Sequence, residues 1–498
     1  MTATRPATSA RHVEVRSGAY ADSVTLLQVS RDVGTLDGVE SVMVAMGTPL
    51  NVDLLQSMGF DVPAVSSHDM VVAVRVGSNA DVADALAAVD AALAAASRVR
   101  DAGAAQEASP RTIGSALRRG GSLALVSVPG PSAFVEAMDA VESGRHVMVF
   151  SDNVSVPDEV FLKRAGADAG VLVMGPDCGT AVVGGVGLGF ANVVAPGPVG
   201  IVAASGTGCQ QLLCLLDSAG VGVSAALGVG GRDVSEEVGG LATEQALRML
   251  DEDPATQLVV LVSKPPAPRV TDRLTELIRG LATPVQLALL GDGRPDLTMA
   301  AETALTTLSR TVPEWPRWGE LPAGTREGFL RGLFCGGTLC DEAMLLATAS
   351  LGPVRSNIPL GPDLALDRSL TAPAHLMIDF GDDALTAGRP HPMIDQTLRL
   401  EHLRAQAADW RTGVLLLDVV LGHGADADPA AQLAPAIAAA RDRRDDLPVV
   451  VTLVGTAADP QGLESQASRL ADAGAAVFAS NAMATRAAIS LLVPGSAR

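Results

Sequence analysis

Apolar residues along this chain fall mostly in short continuous runs, not in strict alternation with polar ones. Runs at 199–204, 258–262, 414–420 and 449–454 have the length of buried strands, and glycine-containing turns follow several of them. Such runs are expected of strands covered on both faces of a parallel sheet. Segments with helical spacing of apolar residues lie between them. The alternation predicts an α/β protein built from doubly wound, Rossmann-like and flavodoxin-like parallel-sheet domains in tandem.

The N-terminal pattern differs. Strands at 13–16, 39–45 and 70–76 alternate with helices at 23–36, 52–58 and 80–96, which predicts a small α+β module. Residues 1–12 read as a loose tail, and 98–112, rich in Ala, Gly and polar residues, as a linker. Strands at 123–128, 146–150 and 170–174 follow, with helices at 133–143 and 157–167. The glycine-rich stretch 175–198 reads as a loop and a boundary. The expected divisions are 1–110, 111–195, 196–325 and 326–498.

The last two divisions form a repeat. The first copy runs strand 199–204, turn Ser205-Gly206-Thr207-Gly208, helix 209–219, strand 223–227, loop 228–233, helix 236–251 and strand 258–262. It ends with helix 270–280 and strand 285–290. The second copy runs strand 331–335, turn Gly336-Gly337-Thr338, helix 339–350, loop 360–363, strand 414–420, helix 429–440 and strand 449–454. Aligning Gly206-Thr207 with Gly337-Thr338 also aligns Cys209 with Cys340. About 30 residues between the 360–363 loop and 414 then read as an insert. Long polar inserts at the carboxyl ends of parallel strands are where such folds place function.

Composition narrows the function. The 498 residues carry a formal charge of −20, which disfavours nucleic acid and anionic membrane surfaces as partners. The first 16 residues are polar, with no apolar signal-peptide core, and no apolar run is long enough to span a membrane. Five cysteines, without a CxxC pair, fit reduced thiols and a cytoplasmic location. Only two lysines occur, Lys163 and Lys264, among 36 basic residues. Lys163 falls in a predicted helix, where a solvated face is expected. Lys264, at the end of strand 258–262, either contacts a phosphate or a carboxylate or is a solvated strand-end lysine.

The turn Ser205–Gly208 joins a buried strand to a helix start, so backbone N–H groups and hydroxyls can cradle an anion. A plain capped helix start explains the same residues, and the GxxxxGK[ST] spacing is absent. A second such turn, Gly336–Thr338, favours two helix starts aimed at one anion. Gly230, Gly231 and Arg232, in a loop after another strand, could clamp a carboxylate or phosphate or form a tight surface loop. In the insert, Arg389 and His391 flank Pro390, so His391 is a candidate proton carrier, ligand or nucleophile. His423, between two glycines, is either a cleft residue or an ordinary loop histidine. Asp379, Asp382 and Asp383 could hold Mg²⁺ beside a phosphate or form a solvated acidic turn. Scattered histidines without HxH or HExxH spacing give no support for zinc, and no metal ligand is assigned.

These motifs resemble the succinyl-CoA synthetase alpha-subunit superfamily. The first match runs through Gly175-Pro176-Asp177-Cys178-Gly179, then 199–207, then 228–233. Within it, Gly230–Glu237, Ser263-Lys264-Pro265-Pro266, Gly336–Cys340 and Gly388–Asp395 resemble the FdrA family over nearly the full length. The resemblance implies a CoA-binding-like domain followed by two CoA-ligase-like domains. It also implies that the two helix starts of a ligase, elsewhere on separate subunits, are fused here in one chain. Two ligase features depart. The phosphohistidine motif after the corresponding strand is replaced by Ser263-Lys264-Pro265-Pro266, and no histidine occurs between His146 and His375. No ATP-grasp domain is visible, and the CoA turn is matched only loosely by 126–132, which weighs against CoA.

FdrA proteins resemble one component of an oxamate carbamoyltransferase of purine and allantoin catabolism. The implied reaction is phosphorolysis of an N-carbamoyl substrate such as oxalurate to oxamate and carbamoyl phosphate. Phosphate or carbamoyl phosphate would lie on Ser205, Gly206, Thr207, Gly336, Gly337 and Thr338, with Lys264, Arg232, Arg389 and His391 around it. No cofactor is assigned beyond these ligands, with Mg²⁺ a candidate. Further enzyme subunits or copies of the chain are expected partners. The alternatives are a nucleotide-dependent acyl-CoA synthetase and a non-catalytic scaffold.

Overall fold

The computed structural model describes residues 10–21, 23–77, 81–101, 110, 112–386 and 389–493. Most of the anticipated tail and linker lie outside these residues, as does Gly388. The chain divides into two compact units, Met1–Ser109 with Ala387–Arg389, and Pro110–Thr386 with Pro390–Arg498.

The first unit is built on an antiparallel sheet. Met70–Val76 is central, between Ala10–Arg16 and Val39–Met46. Its central strand is apolar at nearly every position because both faces are covered. Val72, Val74 and Val76 join Leu26, Val29 and Val89 of helices Ser23–Gly34 and Val82–Asp101. Val71 and Ala73 join Leu55, Phe60 and Val62 on the other face.

The second unit holds three sheets. A small parallel one has the order Leu123–Val126, His146–Val149, Val173–Met174. A six-stranded sheet follows, with parallel strands in the order Val285–Leu289, Leu258–Ser263, Pro196–Ala203, Val223–Gly228. Its far edge is the hairpin Thr180–Val183 and Val186–Gly189, antiparallel to the rest. The sequence pattern placed these hairpin residues in a loop before that sheet. Short strands carrying four glycines within 184–189 escape a search for apolar runs.

The seven-stranded sheet confirms the repeat in a sharper form. Val449–Val454, Thr412–Val420, Phe329–Phe334 and Leu376–Asp379 stand in the same order as the four parallel strands of the preceding sheet. The second strand of this copy is therefore Leu376–Asp379. The counterpart of loop 228–233 is the turn after Asp379, not the 360–363 loop that the sequence pattern selected. The polar insert splits accordingly, part before this strand and part after it.

The two large sheets share one core. Leu212, Leu213 and Leu216 of helix Gly206–Ser218 pack in the same cluster as Leu339, Ala343 and Met344 of helix Gly337–Leu351. Among the described residues, no helix is long and apolar enough to cross a membrane.

Candidate functional site at two facing helix starts

Each turn of the repeat ends a buried strand and opens a helix, and the shared core brings the two turns together. Ser205 caps helix Gly206–Ser218 by accepting the N–H of Gly208 on Oγ at 3.1 Å. The same Oγ meets Thr338 Oγ1 of the other turn at 2.6 Å. A Cβ at Gly336 would come within 2.8 Å of Thr207 Cγ2 and 2.9 Å of Thr207 Oγ1. Gly336 is thus required by close approach, since its backbone is in an ordinary extended conformation. The residues of the two turns lie side by side.

The two turns differ in what surrounds them. Among the described residues, the N–H groups of Gly206 and Thr207 meet no acceptor, as the first turn of a helix leaves them. The nearest group to where a Gly206 Cβ would stand is Thr180 Oγ1 at 3.8 Å, so this start faces open space. In the second turn a carboxylate from inside the fold takes the two donors that precede the helix, while the N–H groups of Gly337 and Thr338, like those of Gly206 and Thr207, meet no acceptor among the described residues. Asp418 accepts the N–H groups of Cys335 at 2.7 Å and Gly336 at 2.9 Å, and is itself paired with Arg399 at 2.8 Å. Asp379 Oδ2 lies 2.8 Å from where a Gly337 Cβ would be. The two starts differ in their surroundings: the first faces open space, and the second has the Asp379 carboxylate beside it.

Asp379 ends its strand in a buried position. Its Oδ1 accepts the Gly381 N–H at 2.9 Å, and its backbone is bracketed by the Asn357 side chain. Burial, aided by neighbouring Asp418 and Asp382, pushes its carboxyl up to about 7. His391 stands beside it. Its Nε2 lies 2.8 Å from the position of a Gly381 Cβ, and Asp379 Oδ1 lies 3.1 Å from that same point. The imidazole Nδ1 accepts the Met393 N–H at 3.2 Å, and the ring packs on Phe190, 5.4 Å between centroids. Burial drives His391 down to about 4, with Arg399 adding to the effect. At neutral pH it is a neutral imidazole whose Nε2 carries the hydrogen. Thr180, whose hydroxyl donates to Phe190 O, closes the ring of residues from Gly206 back to His391.

The remaining candidates differ in their surroundings. Gly231 has open space beside Ala204 O, whereas Gly230 is pressed against the backbone of Gly175 and Pro176 with φ +85°. The Arg232 guanidinium donates to Val154 O at 2.8 Å and pairs with Glu159 at 3.0 Å. It also faces Asp177, which burial and the charges of Asp383 and Asp152 push up to about 7. Lys264 does sit at a strand end, and it pairs with Asp341 of helix Gly337–Leu351 at 2.5 Å. It therefore bridges the two copies. Arg389 and His423 are exposed, and the His423 backbone pairs with Ala191. Gly130, in the turn compared with the CoA loop, is packed on Asp152 and Asn153 backbone, which leaves no room for a side chain. Among the described residues, no group of three or more His, Cys, Asp or Glu side chains could hold a metal ion.

Lys163 corrects the expectation of a solvated face. It is 2% exposed, and its ammonium reaches Glu159 at 2.7 Å, Asp233 at 2.8 Å and Val229 O at 2.9 Å. Asp233 also caps helix Leu241–Glu252 through the N–H groups of Ala242 and Thr243. The network ties helix Val156–Ala169 to the loop that carries Arg232. All five cysteines are buried and free. Sequence reasoning missed Thr180, Phe190 and Asp418. The last had a signal: a single charge inside an otherwise apolar strand.

A family model described as CoA-ligase matches residues 333–491, and one described as AllF, heavy metal-associated domain, matches 8–110. The first cysteine of the chain is Cys178, so the N-terminal match contains no thiol. YahF of Escherichia coli K12 is 37% identical over 500 residues, covering 94% of this chain and 96% of its own. The chain belongs to the FdrA-like family. The FdrA-like chain also matches the alpha 2 subunit of an ADP-forming succinate–CoA ligase of Archaeoglobus fulgidus. Identity there is 31% over 165 residues, 32% of this chain and 56% of that subunit. The alpha subunit from Methanothermobacter thermautotrophicus is 29% identical over 143 residues, 28% of this chain and 47% of that one. The chain thus spans about half the length of these two subunits. Among solved structures, the dinucleotide-forming acetyl-coenzyme A synthetase 1 of Ca. Korarchaeum cryptofilum, in complex with phosphate and ADP, is similar at 16% identity. The match has a TM-score of 0.29 and covers 74% of this chain and 82% of the other.

Proposed function

We propose that this FdrA-like chain is the phosphate-binding subunit of a carbamoyltransferase. The reaction is phosphorolysis of an N-carbamoyl acid such as oxalurate. A phosphate oxygen bonds to the carbamoyl carbon. The bond from that carbon to the oxamate nitrogen breaks, and the nitrogen takes a proton. Oxamate and carbamoyl phosphate are the products. The observation that carries this reading is the open helix start at Gly206 and Thr207, with two N–H donors that meet no acceptor among the described residues. Oriented donors of this kind stabilise an anion without reorganising. The FdrA-like family and the AllF domain match agree with it.

The site residues take revised roles in this reading. Gly206, Thr207 and the hydroxyl of Ser205 hold the phosphate. Arg232 and Gly231 border its entry. Lys264 positions the second helix start through Asp341, and His391 orients groups as a neutral donor. Further subunits complete the enzyme, as in the multi-subunit ligases to which the chain is related. A second reading, a nucleotide-dependent acyl-CoA synthetase, draws on the CoA-ligase match and on the exposed His423.

Titration of inorganic phosphate by calorimetry tests the reading. A Gly206→Asp side chain has space, since only Thr180 Oγ1 lies within 4 Å of its Cβ. Its carboxylate would occupy the helix start. Wild-type protein should bind phosphate and the folded variant should not. Equal binding by both would remove this turn from the site.

A further inference from the structure

The place where the two turns meet has two chemically opposite sides. At one end are the N–H groups of Gly206 and Thr207, which meet no acceptor among the described residues. The Thr207 side chain beside them is 8% exposed, and no hydrogen bond among the described residues engages its hydroxyl, which points at Gly336. At the other end is Asp379, 5% exposed. Its Oδ1 is held by the Gly381 N–H, while Oδ2 makes no hydrogen bond among the described residues and points at Gly337. Gly336 and Gly337 are consecutive, ~3.8 Å apart at Cα, so the hydroxyl and the carboxylate flank the same turn.

A pure anion suits only half of this arrangement. Phosphate on the Gly206 start gains donors but meets the Asp379 carboxylate, an acceptor to which a second anion offers repulsion and no hydrogen. A ligand that also carries N–H hydrogens satisfies both ends. A site built to hydrogen-bond a polar group rejects the analogue that lacks it, because the protein group is then left unpaired.

We infer that the site where the two turns meet takes a small ligand with an anionic group at one end and an amide-type N–H at the other. The anion lies on Gly206 and Thr207, and the N–H donates to Asp379 Oδ2. This assignment rests on the phosphate site proposed above and adds the feature that selects a carbamoyl over an acyl group.

Carbamoylphosphonate and acetylphosphonate form a matched pair of probes, identical except for –NH₂ in place of –CH₃. The experiment is calorimetric titration of both against the full chain with its co-purifying subunits, for wild type and Asp379→Asn. The Gly381 N–H orients the asparagine with its oxygen at the Oδ1 position, so its –NH₂ replaces the Oδ2 acceptor with a donor. Wild type should bind carbamoylphosphonate at least about tenfold more tightly than acetylphosphonate, the size expected for a hydrogen bond to a charged group. Asp379→Asn should lose that preference while still binding acetylphosphonate, which also shows that it is folded. Equal binding of the two probes by wild type, or a preference kept by the variant, overturns the assignment and leaves the phosphate site standing. Binding of neither probe nor of phosphate by wild type overturns both.

Discussion

Lys163 and Asp379 show how one side chain can set local chemistry in this fold. A buried ammonium persists only where its hydrogens find acceptors, and Lys163 finds three. Lys163→Met would leave Asp233 a buried carboxylate without its cation and Glu159 with Arg232 alone. The expected cost is about 3–5 kcal/mol, read from urea unfolding. Asp379 carries the opposite problem, a carboxyl raised by burial from its ordinary 3.8 to about 7. A raised carboxyl binds its proton more tightly folded than unfolded. Its contribution to stability is full below about pH 4 and is lost as pH rises through 7. Asp379→Asn, neutral throughout, should therefore raise Tm at pH 8 and change it little at pH 4. The same shift at both values would contradict the burial argument. The five cysteines, all buried, should resist a thiol reagent in the native protein and react fully after unfolding.

At the scale of elements, the decisive unit is the strand–turn–helix joint, present twice. The joint was legible because an apolar run, a glycine-hydroxyl turn and a helical segment recur in order. Legibility failed where strands are short. Leu376–Asp379 has four residues, and the sequence pattern passed over it in favour of the 360–363 loop. The unequal chemistry of the two turns was equally hidden. It arises from Asp379 and Asp418, each about 40 residues or more from the turn it meets, and local spacing carries no record of such contacts. The closeness of the joints gives a test. Gly336→Ala should lower Tm by pressing its methyl into Thr207, and adding Thr207→Ser, which removes the nearer carbon, should restore part of the loss. Additive losses in the double variant would show that the two residues do not meet.

Within the larger unit, the shared core is what brings the helix starts of two copies of a fold together. Polar ties reinforce it: Gln211 accepts the N–H of Asn481, Arg486 reaches Asp296, and Leu297 N–H is held by Glu342. The acidic net charge of −20 makes the anion site a local construction of backbone donors, without a basic surface around it. That construction is the central claim, and product analysis tests it most directly. The protein with its co-purifying subunits would be incubated with oxalurate and inorganic phosphate and followed by ³¹P NMR, with ATP and CoA added in a parallel sample. The account predicts a carbamoyl phosphate signal that needs oxalurate but neither ATP nor CoA, and that Gly206→Asp abolishes. Absence of that signal, with acid-labile phosphate appearing on His423 only in the ATP sample, would contradict it.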